Sequence, residues 1–148
     1  MSESAVVFRA MNPEDIDEVM TIERCSFPSP WSRESFLNDI SRADTVTAVA
    51  VIRNRVTAYL VAWRVEDELH IGNLAVHPDY RRQGLGTELL ARLFSAYPSV
   101  RMVWLEVRIS NTAAQNLYMK LGFRQISIRK NYYQVEKEDA IIMVKDLD

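Results

Sequence analysis

The chain has 148 residues, of which 48% are hydrophobic and 26% are charged, a composition typical of a globular protein with one hydrophobic core. Its formal net charge of -2 argues against a nucleic-acid-binding protein, because such domains usually carry a basic excess. This length predicts one domain, spanning residues 1–148.

The only cysteine and the N-terminal residues bear on the compartment. Cys25 alone cannot form an internal disulfide, which favours a reducing setting. Its apolar neighbours favour a partly buried structural thiol over a catalytic one. The N-terminus lacks the features of a signal peptide, and no stretch approaches the ~20 apolar residues of a membrane span. We therefore expect a cytoplasmic protein without a membrane partner and without a metal.

In chain order, the hydrophobic pattern alternates between the periods of strands and helices. The predicted elements are strand 5–10, helices beginning at 12 and 32, strands 46–52, 56–65 and 68–76, helix 84–97, strand 101–107, helix 111–121, and strands 123–135 and 140–144. The nearly continuous apolar run at 101–107 predicts a strand buried on both faces. The second helix is expected to bury Phe36, Leu37 and Ile40. The order β-α-α-β-β-β-α-β-α-β-β predicts an α/β (α+β) fold, with one mixed sheet of about seven strands covered by about four helices.

The loop Arg81-Arg82-Gln83-Gly84-Leu85-Gly86 joins a predicted strand to the first turn of a predicted helix. Helix N-termini present unpaired N–H groups and a partial positive charge, which suits a phosphate. A Walker loop is excluded because Thr87 and Glu88 follow the second glycine, and a dinucleotide fingerprint because Leu89 stands where a small residue is needed. The residues alone leave open a phosphate site or a plain glycine-rich turn.

Two segments resemble the hallmarks of the GNAT superfamily of N-acetyltransferases. Residues 73–86 resemble its acetyl-CoA signature, and residues 111–123 are similar to its helix ending in Tyr-x-x-x-Gly-Phe. The resemblance covers almost the whole chain and implies acetyl-CoA as the acetyl donor. The coenzyme contacts it implies are Leu74, Ala75, Val76, Arg81, Arg82, Gln83, Gly84, Leu85, Gly86, Thr87, Asn111 and Tyr118. Since a strand can offer unpaired backbone groups only where it is splayed, we expect a β-bulge near residues 73–76.

Acetyl transfer to an amine needs a group that takes a proton and a group that gives one. Glu106 is the one carboxylate of its apolar strand, where desolvation would raise its pKa and favour a general base. Alternatively, it pairs with Arg108 or another cation at the strand end. Tyr118 could donate a proton or simply belong to the core. His77, before Pro78, is expected to be a turn residue rather than a proton carrier.

Three segments look more specifically like RimI-type ribosomal-protein alanine N-acetyltransferases: residues 104–111, 27–32 and 129–133. This resemblance implies that Glu106 is the base and Tyr118 the acid. It also implies acceptor contacts from Phe27, Pro28, Trp31, Tyr132 and Tyr133. The alternative is that Phe27 and Trp31 only join two helices and that the tyrosines are ordinary strand aromatics.

The resemblance implies acetylation of a protein N-terminus, with the N-terminal alanine of small-subunit ribosomal protein eighteen as substrate. There are two alternatives. The protein could acetylate a lysine side chain or a small amine, or it could be a non-catalytic acetyl-CoA-binding module. The expected partner is a protein N-terminus rather than nucleic acid, and a monomer and a weak dimer both remain open.

Overall fold

The computed structural model describes residues 5–147, which form one seven-stranded sheet with helices on both faces. The strands are β1 (Val6–Arg9), β2 (Thr45–Ile52), β3 (Arg55–Val65), β4 (Glu68–Val76), β5 (Met102–Arg108), β6 (Arg124–Tyr133) and β7 (Glu138–Asp146). The helices are α1 (Ile16–Ser26), α2 (Arg33–Ser41), α3 (Leu85–Ala96) and α4 (Thr112–Lys120). Short 3-10 turns occupy Pro13–Asp15 and Pro78–Tyr80. The predicted fold class and element order are confirmed.

The sheet has the spatial order β1-β2-β3-β4-β5-β7-β6. Its described neighbours are antiparallel except β4 and β5, which are parallel. The β2–β3 hairpin turns at Arg53 and Asn54, which both have positive φ, as a tight hairpin turn with the strand twist requires. No helix among residues 5–147 is long and apolar enough to cross a membrane.

Two hydrophobic clusters hold the helices to the sheet. On one face, α3 buries Leu85, Leu89, Leu90 and Leu93. On the other face, α1 and α2 bury Ile16, Val19, Ile22 and Phe36 against β2, β3 and β4. Burial of each such side chain stabilises the fold by about 1.5–3 kcal/mol.

Two predictions for the helices of the second face are wrong. Leu37 is 36% exposed, whereas Asp39 is turned inward and accepts a hydrogen bond from the Trp63 indole at 3.2 Å. Cys25 is exposed rather than partly buried. The reason is helical phase: at about 100° per residue, Cys25 lies on the opposite side of α1 from the buried Ile16.

The prediction that β5 is buried on both faces is also wrong. Val103, Leu105 and Val107 are buried, but the residues between them are only partly so. The cluster beneath α1 and α2 takes members from β2, β3 and β4 and none from β5. The β5 face that carries Trp104 and Glu106 is therefore not sealed by a helix.

A β-bulge at Gly72 changes the direction of every later side chain of β4. Val61 pairs with Asn73 but Ala62 pairs with Ile71, so Gly72 is the extra residue. Ile71 faces the α3 side, whereas after the bulge Ala75 faces the α1 side. The parallel pairing of β4 with β5 runs only as far as Ile71 and Leu105. The predicted bulge and the separation of the two strands are confirmed.

Candidate active site

Beyond Ile71 and Leu105 the strands β4 and β5 separate, and a cavity of about 480 Å³ opens at this point. Eight residues singled out in the sequence line it: Phe27, Trp31, Leu74, Glu106, Asn111, Tyr118, Tyr132 and Tyr133. Pro28, Ala75, Val76 and the loop 81–87 lie outside this lining. The cavity therefore brings together the two predicted catalytic residues and most of the predicted acceptor contacts.

Glu106 lies on the cavity-facing side of β5, and its side chain is 9% exposed. Its Oε1 is 2.7 Å from Nε2 of His70, and its Oε2 is 3.9 Å from the guanidinium of Arg129. Of the alternative partners named for Glu106, Arg108 is not one, because it donates to Oε1 of Glu136 at 2.8 Å, whereas Arg129 is a nearby cation. Glu106 is thus a nearly buried carboxylate whose close partner is an imidazole.

His70 was not predicted as a site residue. Its ring is stacked on Trp104, with centroids 3.8 Å apart and 1° between the planes, and Trp63 lies on its other side at 5.2 Å. These contacts follow from register, since Trp63 pairs with His70 on β3 and β4, and His70 with Trp104 on β4 and β5. Two indoles therefore fix the imidazole that contacts Glu106.

Tyr118 is a core residue that also reaches the cavity, so its position is compatible with both interpretations made from the sequence. It is 8% exposed and packs edge-on against Phe123 at 5.4 Å, so it belongs to the core. It also lines the cavity. Burial raises the pKa of the Tyr118 phenol, and the neighbouring Tyr133 raises it further. The phenol is consequently protonated near neutral pH and has a proton to give.

Glu23 of α1 is a second buried acid that lines the cavity, and sequence reasoning missed it. It is 1% exposed. It accepts hydrogen bonds from the Tyr59 hydroxyl, from Asn73 Nδ2 at 2.6 Å and from the Trp31 backbone N–H at 2.8 Å. Burial raises its pKa, against the three donors. Glu23 ties the segment after α1 to β3 and to the bulged part of β4.

The glycine-rich loop gets its shape from two residues with positive φ. Arg82 has φ 65° and Gly84, the residue before α3, has φ 79°. No side chain caps this helix, and its first turn leaves the N–H groups of residues 85–87 without helical acceptors. Arg81 donates to the Val76 carbonyl at 3.0 Å and to Ser26 Oγ at 3.3 Å. Arg81 thus braces the loop against β4 and α1.

At the start of α4, Asn111 caps the helix by accepting a hydrogen bond from the Ala114 N–H at 3.1 Å. Its side chain therefore has a structural task as well as a place in the cavity lining. Gln115 supports the same turn by donating to the carbonyls of Arg108 and Ile109. Hydrogen bonds from Asn111 and Gln115 therefore fix the turn between β5 and α4.

The aromatics predicted to contact the acceptor line the cavity from two segments, the one after α1 and the end of β6. Trp31 packs on Phe36 at 5.3 Å, which joins the segment after α1 to α2 as the alternative interpretation expected, and it also lines the cavity. Tyr132 and Tyr133 meet edge-on at 5.0 Å. Arg108 lies 3.8 Å over the Tyr133 ring, and burial raises the pKa of Tyr133 to about 12. Both phenols are thus neutral hydrogen-bonding groups at physiological pH.

The surroundings of the cavity contain several ion pairs. Among residues 5–147 no three His, Cys, Asp or Glu side chains are arranged to hold a metal ion. Arg108 lies between Glu136 and Glu138, at 2.8 and 3.5 Å. Ser29 donates to Glu136, which connects the segment after α1 with the β6–β7 turn.

The chain matches known proteins along nearly all its length. Residues 16–123 match the family model described as the acetyltransferase (GNAT) family. A Bacillus subtilis protein, provisionally named a [ribosomal protein bS18]-alanine N-acetyltransferase, is 40% identical over 138 residues, which cover 91% of each chain. The [ribosomal protein bS18]-alanine N-acetyltransferase of Escherichia coli K12 is 37% identical, over 90% of this chain and 93% of that protein.

The structural comparison agrees with the sequence matches. The crystal structure of the ribosomal-protein-S18-alanine N-acetyltransferase from Escherichia coli superposes with a TM-score of 0.88 at 34% identity. The match covers 97% of this chain and 95% of that one. The family model, the relatives above 30% identity and the shared fold lead to one conclusion: the chain belongs to the GNAT family of acetyltransferases.

Proposed function

We propose that the protein transfers the acetyl group of acetyl-CoA to the N-terminal α-amine of a protein, with the N-terminal alanine of ribosomal protein bS18 as its principal substrate. The observation that carries the proposal is Glu106, a nearly buried carboxylate at the point where β4 and β5 separate. The relatives named for this reaction, at 37–40% identity over nine-tenths of the chain, support the choice of substrate.

Acetyl-CoA supplies an activated acyl group as a thioester. The chain has features that suit two parts of this molecule, its amide-containing arm and its pyrophosphate. The separated stretch of β4 after Ile71 has backbone groups that β5 does not use, which suits an extended amide-containing arm. The N–H groups at the start of α3 suit the pyrophosphate. An added Cβ at Gly84 would meet no atom within 4 Å, so glycine is needed there for its φ and not for lack of room.

The acceptor reacts only as a neutral amine, whereas a peptide α-amine has a pKa of about 8. In the proposed step Glu106 takes a proton from the amine, directly or through a water. The new N–C bond forms at the acetyl carbonyl carbon and the C–S bond breaks. Tyr118 then gives its phenolic proton to the departing thiolate, a role that fits a phenol held neutral by burial. The proton that the nitrogen releases as the amide forms returns to the Tyr118 phenolate, so one of the two ammonium protons ends on Glu106 and the other on the thiol.

His70 acts on Glu106 in this scheme as a positioning residue. With its Nε2 proton donated to Oε1 of Glu106, the imidazole leaves Oε2 for the acceptor. The flanking indoles of Trp63 and Trp104 prevent the ring from turning away. A base that is held in one orientation keeps the geometry that proton transfer requires.

The acceptor side suits an extended peptide end. Phe27 and Trp31 provide apolar surface for the first side chain, and Pro28 shapes the segment between them without lining the cavity. Tyr132 and Tyr133 stand on the opposite side, with hydroxyls that can bind the peptide backbone. A free amino acid or polyamine would leave these groups without partners, which is the physical reason to prefer a protein N-terminus.

The test is an assay of acetyl-CoA consumption with three acceptors at equal concentrations. They are a peptide beginning with the bS18 N-terminal sequence, the same peptide with a blocked N-terminus and one internal lysine, and a polyamine. We expect turnover of the first to exceed that of the other two by at least about a hundredfold, the discrimination that unpaired polar groups can provide. Preference for the lysine peptide or the polyamine would refute the proposed substrate.

In the cell, the corresponding measurement is mass spectrometry of protein N-termini with and without the gene. Loss of the acetyl group from bS18 alone identifies it as the principal substrate. Loss from many proteins beginning with small residues shows a broader N-terminal acetyltransferase, and no change at any N-terminus contradicts the proposal.

A further inference from the structure

Gly72, the bulge residue of β4, has an indole lying directly on its backbone. A Cβ built at Gly72 would be 2.3 Å from Cη2 and 2.5 Å from Cζ3 of Trp63, and 3.1 Å from Cη2 of Trp31. All three distances are shorter than normal van der Waals contact. Glycine is therefore required here for space, and it lets Trp63 approach the strand more closely than any other residue would allow.

Trp63 is fixed in this place by contacts on several sides. Its Nε1 donates to Asp39 at 3.2 Å, and its ring is stacked on Trp31 at 5.8 Å with 26° between the planes. Trp31 is in turn held by its backbone N–H, which donates to Glu23 at 2.8 Å. The resulting aromatic wall, Trp31 with Trp63, lines the cavity and has its inner neighbours buried. It is a rigid boundary rather than a movable one.

The aromatic wall stands next to the proposed base. Ile71 of β4 and Leu105 of β5 are the last residues that pair before the two strands separate. Gly72 and Glu106 are the next residues along these strands. Trp63 also contacts His70, which is 2.7 Å from Glu106. An amine within reach of Glu106 thus brings the side chain on its own α-carbon to within a few ångströms of this wall.

The two sides of Glu106 differ in polarity. Toward β6 it meets Arg129 and Tyr132, which are charged and polar. Toward β3 it meets His70, whose ring lies against Trp63 of the aromatic wall. Burial of an apolar side chain of the first acceptor residue against the wall is favourable. Placing the same side chain against Arg129 would remove water from a charged group, which is unfavourable. The first side chain is therefore expected on the Trp63 side.

We propose that Trp63, resting on Gly72, sets the upper size limit of the first acceptor residue and thereby restricts the enzyme to small residues such as alanine. This inference rests on the proposed N-terminal acetylation and adds a specificity-determining residue to it. Trp63 and Gly72 act as a pair, because the Trp63 ring fits in this place only if residue 72 has no side chain.

The test compares kcat/KM for peptides that are identical except for a first residue of Ala, Ser, Val, Leu or Met. For Trp63→Leu we expect the Leu-to-Ala and Met-to-Ala ratios to rise at least about tenfold, the effect of roughly one methylene in a fitted pocket. Gly72→Ala should act in the opposite direction, because its methyl drives Trp63 into the cavity and lowers kcat/KM even for the Ala peptide. The double variant Trp63→Leu/Gly72→Ala should recover part of that loss.

The matched control is Trp104→Leu. Trp104 also contacts His70, but it lines a separate shallow depression with Ile126, Ile142 and Val144 rather than the cavity. Its replacement can change rates through His70, yet it should leave the ratios between first residues within about twofold. A Trp63→Leu protein with unchanged ratios, while Ala peptides remain substrates, overturns the inference and leaves the proposed function intact.

Two further outcomes separate the remaining possibilities. If wild-type protein acetylates none of the peptides and prefers a lysine or a polyamine, the proposed function fails and this inference fails with it. If Trp63→Leu does not fold, as judged by its thermal transition, Trp63→Phe and Gly72→Ala take its place. Unchanged ratios in Trp63→Phe together with full Ala-peptide activity in Gly72→Ala overturn the inference.

Discussion

The side proposed to bind the acetyl donor and the side proposed to bind the acceptor, called below the donor side and the acceptor side, are built in different ways. The donor side is mainly backbone: a loop with positive φ at Arg82 and Gly84, the start of α3, and a strand that has separated from its neighbour. The acceptor side is mainly side chains, contributed by α1, by the four strands β3, β4, β5 and β6, and by the segment after α1. A backbone site depends on a few conformations, whereas a side-chain site depends on many individual contacts.

This difference predicts where substitutions matter. On the donor side only the residues that fix a backbone conformation should be sensitive, and exposed side chains such as Gln83 should tolerate exchange. On the acceptor side a single change can leave a buried partner without its hydrogen bond, which costs about 1–3 kcal/mol. The predictions below compare the two sides.

The largest effect should come from the acceptor side, with Glu106→Gln. Gln keeps the size of the side chain but accepts a proton poorly, so kcat at saturating peptide should fall by about 10²–10⁴, the usual contribution of a general base. Acetyl-CoA affinity, measured by calorimetry, should stay within about twofold, because Glu106 lies outside the loop 81–87.

The pH dependence makes this first prediction sharper. As pH rises through about 8 the peptide amine loses its proton without help, so the deficit of Glu106→Gln should shrink. An unchanged rate near neutral pH would show that Glu106 is not the base. A deficit that is constant from pH 6 to 10 would mean that Glu106 serves binding or structure instead.

The sequence was informative for the donor side because its signals are local. Gly84 and Gly86 stand at the start of an amphipathic helix, and Gly122 at the end of another. The bounds of β4, predicted as 68–76, agree with the structure because turns limit the segment on both sides, at Glu66–Asp67 and after His77. The bulge was predicted from the resemblance and the need for unpaired backbone groups, and Gly72 supplies it.

The acceptor side was only partly predictable, because its contacts depend on register between strands. His70 contacts Glu106 only since β3, β4 and β5 align Trp63, His70 and Trp104 in one row. Glu23 gave no signal in a helix rich in acids, and its burial became apparent only with the packing of α1 on β3 and β4. The alternating position of His70 within β4 was the one local sign that it faces the same side as Gly72.

The next effect concerns the donor side and compares the same methyl group at two glycines. Gly84→Ala must keep an alanine at φ 79° or change the loop, so we expect a loss of about 1–2 kcal/mol in the free energy of unfolding. Acetyl-CoA binding should weaken in parallel. Gly86→Ala adds a methyl at an ordinary 3.8 Å from Val76, within a helix that favours Ala over Gly by up to about 1 kcal/mol, so it should not lower the free energy of unfolding and should weaken acetyl-CoA binding less than Gly84→Ala does.

Urea unfolding and calorimetric titration with acetyl-CoA measure the two quantities in both variants. Equal losses in Gly84→Ala and Gly86→Ala would contradict the view that the donor loop depends on conformation. A loss confined to Gly86→Ala would indicate instead that the ligand approaches the helix start more closely than the loop.

The smallest effect returns to the acceptor side and concerns Glu23. Burial raises its pKa above the ordinary value of 4.5, so the folded protein binds this proton more tightly than the unfolded chain does. The stability it contributes is fully present below pH about 4.5 and is lost as pH rises through the raised pKa.

Because Gln does not titrate, the difference in unfolding free energy between wild type and Glu23→Gln should shift against the wild type over this range, by at most about 1.4 kcal/mol per pH unit. Urea unfolding at half-unit steps from pH 4.5 to 8 measures it, and the other titrating groups cancel in the difference. A difference that does not change with pH would mean that the three donors on Glu23 fully offset its burial, in which case the segment at Trp31 is held equally firmly at every pH.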